Sequence, residues 1–134
     1  MKPTYDKIVS LITQQYPNTR LVYLFGSQAD GSAKANSDWD IAMASNQKLS
    51  GEQRWQLQEL LANALATEVD LIDLLDTTTV LQMQVVTTGK VIYEQNGFAD
   101  GFAAQVMSMY GRLQEARKPI LEEFTRSVSG GANV

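Results

Sequence analysis

The chain has 134 residues, 44% of them hydrophobic and 19% charged, with a formal net charge of −4; this fits one folded domain around one core and excludes a disordered chain. It contains no cysteine and no histidine, which excludes disulfides, thiolate or imidazole metal ligands, cysteine nucleophiles and histidine general bases. Any catalysis rests on carboxylates, hydroxyls, amines and bound ions, and an acidic chain without a Lys/Arg cluster predicts no direct nucleic-acid partner.

Tyr5, Ile8, Leu11, Ile12 and Tyr16 recur at helical spacing, and Pro17-Asn18 ends that helix. Residues 21–25 form an apolar run closed by Gly26, the pattern of a strand buried on both faces. The following SQADGS predicts a helical turn. Over residues 38–44 Asp38, Asp40, Ala42 and Ala44 share one strand face, and Trp39, Ile41 and Met43 the other. Ser50 and Gln53 read as a capping box ahead of a stripe of Leu57, Leu60, Leu61, Ala64 and Leu65.

Residues 69–75 predict another strand. Asp76 or a following threonine caps a short helix that stops at Gly89, and residues 90–93 form a last short strand. A long helix is expected from about residue 101 to 128, with 129–134 a flexible tail. The order α-β-β-α-β-α-β-α describes one α/β (α+β) domain over residues 1–134, a mixed sheet flanked by helices. No apolar stretch approaches the ~20 residues that span a bilayer, and the first residues, MKPTYDK, lack a signal-peptide core. A cytoplasmic protein without a membrane partner is expected.

Asp38 and Asp40 project from one strand face about 7 Å apart, and like charges so placed repel unless a cation or proton lies between them. Carboxylate oxygens suit Mg²⁺, which is held by one or two carboxylates together with substrate phosphates. A third carboxylate can come from Asp70 or Asp73, which point to opposite faces, so only one joins the site. Gly26 allows a ligand close to the backbone, and the turn after it offers N–H groups and the Ser27 hydroxyl to an anion such as a triphosphate tail. Trp39, opposite the aspartates, is expected in the core. Lys34 and Lys90 are read as surface lysines, Asp73 as solvent-facing or paired with a base, and Tyr5, Tyr16, Tyr23, Tyr93 and Tyr110 as mostly core.

Gly26-Ser27, ten intervening residues and Asp38-Trp39-Asp40 resemble the GS-x10-DxD signature of the polymerase-β-like nucleotidyltransferase superfamily. The short chain and its GSQADGSAKANSDWDIA resemble the minimal nucleotidyltransferase branch. The resemblance implies that branch's mixed-sheet fold, with ATP and Mg²⁺ at the motif strands. It also implies a third carboxylate in Val69-Asp70-Leu71, which gives that role to Asp70 and not to Asp73. Asp38, Asp40 and Asp70 are thereby implied as catalytic and metal-binding residues, and Gly26 and Ser27 as nucleotide-binding ones. The chain departs from the pattern with Gln28 and Asp30, where the family often has arginine after the Gly-Ser pair.

TTGKVIYEQN and the helix containing MYGRLQEARKPI resemble the antitoxins of HEPN/MNT toxin–antitoxin pairs. This implies transfer of AMP from Mg·ATP to a tyrosine hydroxyl of a HEPN-type toxin, within a heteromeric complex. Two other readings stay open: a catalytically inert antitoxin that acts by binding and occlusion, and a small-molecule (for example aminoglycoside) nucleotidyltransferase. Retention of Gly26, Ser27, Asp38, Asp40 and Asp70 weighs against the inert form. Phe102, Val106, Met109, Leu113, Ala116 and Ile120 recur in a 4-3-4-3-4 pattern, which Phe124 continues. A helix that long overhangs a domain this small, so its part from about Leu113 onward is expected to meet a partner.

Overall fold

The structure, a computed structural model, describes residues 2–34 and 37–132, with side chains as far as Pro119. Its elements are α1 (Pro3–Gln15), β1 (Leu21–Phe25), α2 (Ser27–Asp30), β2 (Trp39–Ala44), α3 (Gly51–Leu65), β3 (Val69–Asp73), α4 (Thr79–Thr88), β4 (Lys90–Glu94) and α5 (Phe98–Ala132). The strands make one sheet in the order β3-β2-β1-β4. β1 is antiparallel to β2 and β4, and β2 is parallel to β3, with α3 as the crossover.

The apolar run predicted as a two-sided strand is β1, every residue of which is buried. Alternation along β1 and β2 then feeds two cores. Val22, Leu24, Ile41 and Met43 face Ile8, Ile12, Leu57 and Leu61 of α1 and α3. Leu21, Tyr23, Phe25, Ala42 and Ala44 face Val85 of α4 and Phe102 and Val106 of α5. Full burial of each large aliphatic side chain contributes about 1.5–3 kcal/mol, enough to fix which face of each strand points where.

The helix boundaries follow local chemistry. Ser50 Oγ accepts from Gln53 N at 3.1 Å while Gln53 Oε1 accepts from Ser50 N at 2.8 Å, completing the capping box of α3. Thr78 caps α4 by accepting from Leu81 N at 3.1 Å. From α3, Arg54 Nη1 donates to the Leu71 carbonyl at 3.1 Å, and the Leu71 amide donates to Gln58 Oε1 at 2.9 Å.

Several expectations are corrected. The turn after Gly26 is an element of its own, α2, so the order gains a helix. Leu60 is 36% exposed, because Leu57 and Leu61 take the core side of the α3 stripe. Strand β3 ends at Asp73, where Asp76 N donates back to the Asp73 carbonyl at 2.9 Å and turns the chain. Helix α5 begins at Phe98, whose ring stacks on Phe102 at 6.0 Å beneath the Arg20 guanidinium. It runs to Ala132, so the expected tail is helical that far, while residues 133 and 134 lie outside the described residues.

Asp73 is neither solvent-facing nor paired with a base. It is 4% exposed, accepting from Leu49 N at 2.8 Å through Oδ2 and from Leu75 N at 3.0 Å through Oδ1. The carboxylate thus ties the approach to α3 to the end of β3. Asp73→Ala is expected to cost about 1–3 kcal/mol by orphaning two amides. It should lower the melting temperature by several degrees without lowering activity per folded molecule, and Asp73→Asn should cost less.

Candidate active site at the end of the sheet

The register brings the motif residues together. Phe25, the last residue of β1, lies opposite Asp40, and Asp40 lies opposite Asp70 across the parallel β2–β3 pair. Asp38 immediately precedes β2. Asp40 is half-buried and shares the face of Ala42 and Ala44, while Asp38 and Asp70 are exposed. Asp73 belongs to the other face, with Val69 and Leu71, and takes no part.

The Asp40 carboxyl is pushed above the usual carboxylate range, first by burial and then by the negative charges of Asp70 and Asp38. Among the described residues the ion pair is Lys48–Asp76, at 3.8 Å, so no side-chain cation offsets this acidic group. No three acidic side chains among the described residues stand close enough to ligate one ion together. The register pair Asp40/Asp70, with Asp38 beside it, offers hard oxygen donors lacking a counter-charge. Such a set can take a divalent cation whose shell is completed by phosphate oxygens.

Gly26 adopts φ +67° and ψ −150°, a region open essentially to glycine. A Cβ there would collide with the Asp40 carboxylate. The motif glycine therefore lets the loop backbone lie directly on the motif aspartate. Ser27 follows as the first residue of α2. Ala29 N and Asp30 N donate to the Gly26 carbonyl at 3.1 and 3.2 Å, so the amides of Ser27 and Gln28 precede any intrahelical acceptor and remain available to an anion.

Asp30 also has a role that its type did not reveal. Its Oδ1 accepts from Ser32 N at 2.8 Å and Ser32 Oγ at 2.6 Å, bonds that hold its carboxyl below the usual range. It fastens the loop and does not point to the acidic group. Trp39 meets Tyr5 edge to face at 6.4 Å on the opposite side of the sheet, as expected. Tyr5 and Tyr23 are buried, and Tyr16, Tyr93 and Tyr110 are half-buried. Lys2 carried no sequence signal and Lys90 only that of a surface lysine, yet both ammonium groups lie over the Tyr5 ring, at 5.6 and 5.1 Å.

The polymerase beta nucleotidyltransferase family model matches residues 6–97. The chain is 38% identical over 128 residues to a protein adenylyltransferase, MntA, of Shewanella oneidensis, covering 96% of this chain and 92% of that protein. It is 28% identical to the protein adenylyltransferase MntA of Aphanizomenon flos-aquae, covering 81% of this chain and 79% of that one. A crystal structure of a toxin–antitoxin with AMP-PNP superposes with a TM-score of 0.83 at 40% identity, over 90% of this chain and 98% of that chain. A tri-AMPylated Shewanella oneidensis HEPN toxin in complex with its MNT antitoxin superposes with a TM-score of 0.78 at 37% identity, over 91% and 96%.

Proposed function

The chain belongs to the polymerase β nucleotidyltransferase family, and from that premise we propose that it is an antitoxin enzyme. It transfers AMP from ATP to a tyrosine hydroxyl of a cognate HEPN-type toxin in the cytoplasm. The observation that carries this reading is the junction of Gly26 with Asp40 and of Asp40 with Asp70, in a chain so close to an adenylyltransferase over nearly its whole length. Among the described residues no helix is long and apolar enough to cross a membrane.

Asp38, Asp40 and Asp70 would share the Mg²⁺ ions that accompany the nucleotide, not all three on one ion, and Gly26 with Ser27 would receive the phosphates through backbone amides and the hydroxyl. Mg²⁺, when bound, supplies positive charge against the negative charge of the phosphates and the departing pyrophosphate. The acceptor oxygen forms a bond to the α-phosphorus as the bond to pyrophosphate breaks. The hydroxyl proton passes to a carboxylate of this set; Asp38 and Asp70 are both exposed, and the role is given to Asp70, the carboxylate across the strand pair from Asp40. No histidine competes for that role.

Helix α5 supplies a docking surface for the toxin. Val106 is its last buried residue among the described residues, and Met107 and Met109 are 45% and 49% exposed. Packing on the domain thus ends near Val106, somewhat before Leu113, which is half-buried; the side chains of Ile120 and Phe124 lie outside the described residues. Met109→Glu is expected to leave the melting temperature of the isolated chain nearly unchanged, as for other exposed positions. It should weaken toxin capture about tenfold or more, because a charge becomes buried unpaired in the complex.

Intact-mass spectrometry of the chain, Mg·ATP and the product of the neighbouring gene tests the function. A gain of one or more AMP units on the partner is expected. Neutralisation of the partner without any mass gain overturns transfer in favour of occlusion.

A further inference from the structure

Helix α5 leaves the body of the protein at the height of the aspartates. It starts at the opposite end of the sheet, where Glu94 lies across from Leu21 and Leu21 across from Ala44. Glu94 Oε1 accepts from Ala99 N at 3.3 Å, and Gln95 N donates to the Arg20 carbonyl at 3.0 Å, which fastens the helix start to that end. Ala99, Phe102 and Val106 then pack with Tyr23, Phe25, Ala42 and Ala44, so α5 climbs the sheet face that Asp40 shares. From Phe98 to Val106 it rises about 12 Å. Strand β1 covers roughly 13 Å from Leu21 to Phe25, and Phe25 is the residue opposite Asp40.

Beyond Val106 the buried stripe stops. Tyr110 and Leu113 are half-buried, and every other residue from Met107 to Pro119 is exposed. Pro119 lacks the N–H that continues a helix and bounds the stiff part of this arm, about 18 Å past Met107. Arg112, Arg117 and Lys118 against Glu115 make the arm basic in a chain of net charge −4, while the sheet end beside it is acidic. Neighbouring surfaces of opposite sign fix which way round a partner lies. The sheet end itself is open. Asp38 and Asp70 are exposed, and nothing lies within 4 Å of where a Cβ on Gly31 would stand. Exposed carboxylates accept a proton from any hydroxyl that arrives, so they do not tell one acceptor from another.

We propose that the arm selects the acceptor. The toxin docks along residues 107–118, and the hydroxyl that receives AMP is the one this docking holds at the height of Asp70. It is chosen by its distance from the docked helix and not by the residues around it. This rests on the nucleotidyl-transfer reading above and adds to it the rule by which one hydroxyl among many is taken. The partner is recognised in one place and modified in another, and the stiffness of α5 joins the two.

Moving the arm outward without turning it tests the proposal. Seven helical residues inserted between Val106 and Met107 shift the arm by about 10 Å and rotate it by only about 20°. The insertion follows the last buried residue of α5 among the described residues, so melting temperature and affinity for Mg·AMP-PNP are expected to match wild type. Capture of the neighbouring gene's product should persist. Labelling of the hydroxyl used by wild type, read by intact mass and peptide mapping, should fall about a hundredfold or more. The same seven residues between Lys118 and Pro119 leave the spacing alone and should change neither capture nor labelling. A synthetic peptide carrying the labelled tyrosine, given to wild type at the partner's concentration, should react about a hundredfold or more slower than the whole partner. Three results overturn the proposal: the first insertion variant labels the same hydroxyl at the wild-type rate, it loses capture, or the peptide reacts as fast as the whole partner. Should that variant fail to fold, the peptide comparison on wild type decides alone. Wild type that never transfers AMP fails the enzymatic reading and this proposal together, whereas those three results fail the proposal only.

Discussion

Asp38→Asn combined with Asp40→Asn is expected to give a folded protein that transfers AMP at least about a thousandfold more slowly, the equivalent of losing several kcal/mol of charge stabilisation. Asparagine keeps the shape of each side chain but removes the anion. The fold has no need of these charges, because Asp40 is already disfavoured as a carboxylate by burial, by Asp70 and by Asp38. Melting temperature without ligand should therefore equal or exceed that of wild type. Adding Mg·ATP should raise the wild-type melting temperature by mass action, and EDTA should remove most of the rise. The double variant should show no metal-dependent rise. Transfer at the wild-type rate in that variant would remove the carboxylates from the mechanism.

Gly26→Ala is expected to damage both stability and activity. Its backbone region costs a residue with a side chain about 1–3 kcal/mol, and the added methyl meets the Asp40 carboxylate. Asp40 must then swing away from Asp70. A displacement on the order of 1 Å is enough to cost about a hundredfold in rate. Gly31→Ala separates the two effects. Gly31 also has a positive φ, +81°, but no atom lies where its Cβ would be, so this variant should lose stability and retain transfer. Equal activity of Gly26→Ala and wild type, measured per folded molecule, would show that the glycine serves the turn alone.

What the sequence made legible is what neighbouring residues decide among themselves. The buried run of β1, the alternation of β2, the Ser50 capping box and the opposed faces of Asp70 and Asp73 all follow from periodicity, and all hold in the fold. The pairing of Asp40 with Asp70 needed the resemblance as well, because strand register joins residues 30 positions apart.

Asp73 was misread because its partners are backbone amides, one of them 24 residues away, and side-chain identity carries no trace of them. Leu60 was misplaced because a helical stripe leaves open which flank faces the sheet. Lys2 and Lys90 come from α1's N-cap and the start of β4, far apart in sequence, and both lie over the Tyr5 ring. Asp30 stands where the family often has arginine, and its bonds from Ser32 N and Oγ join residues two apart without any periodicity to announce them.

The contacts from Arg54 and Gln58 to Leu71 govern how this protein meets other chains. β3 is an outer strand of the sheet, and an outer strand with free amides and carbonyls recruits strands from other molecules. At Leu71 both outward groups are already taken by side chains of α3, so the middle of that edge is closed to strand addition. The other rim, β4, is five residues long and carries Lys90 and Glu94 at its two ends, charges that discourage edge-to-edge growth. The sheet is thus shut laterally on one rim and guarded on the other. Association falls to helical surfaces and to the open end where the aspartates stand, so folded copies are not expected to polymerise through their strands.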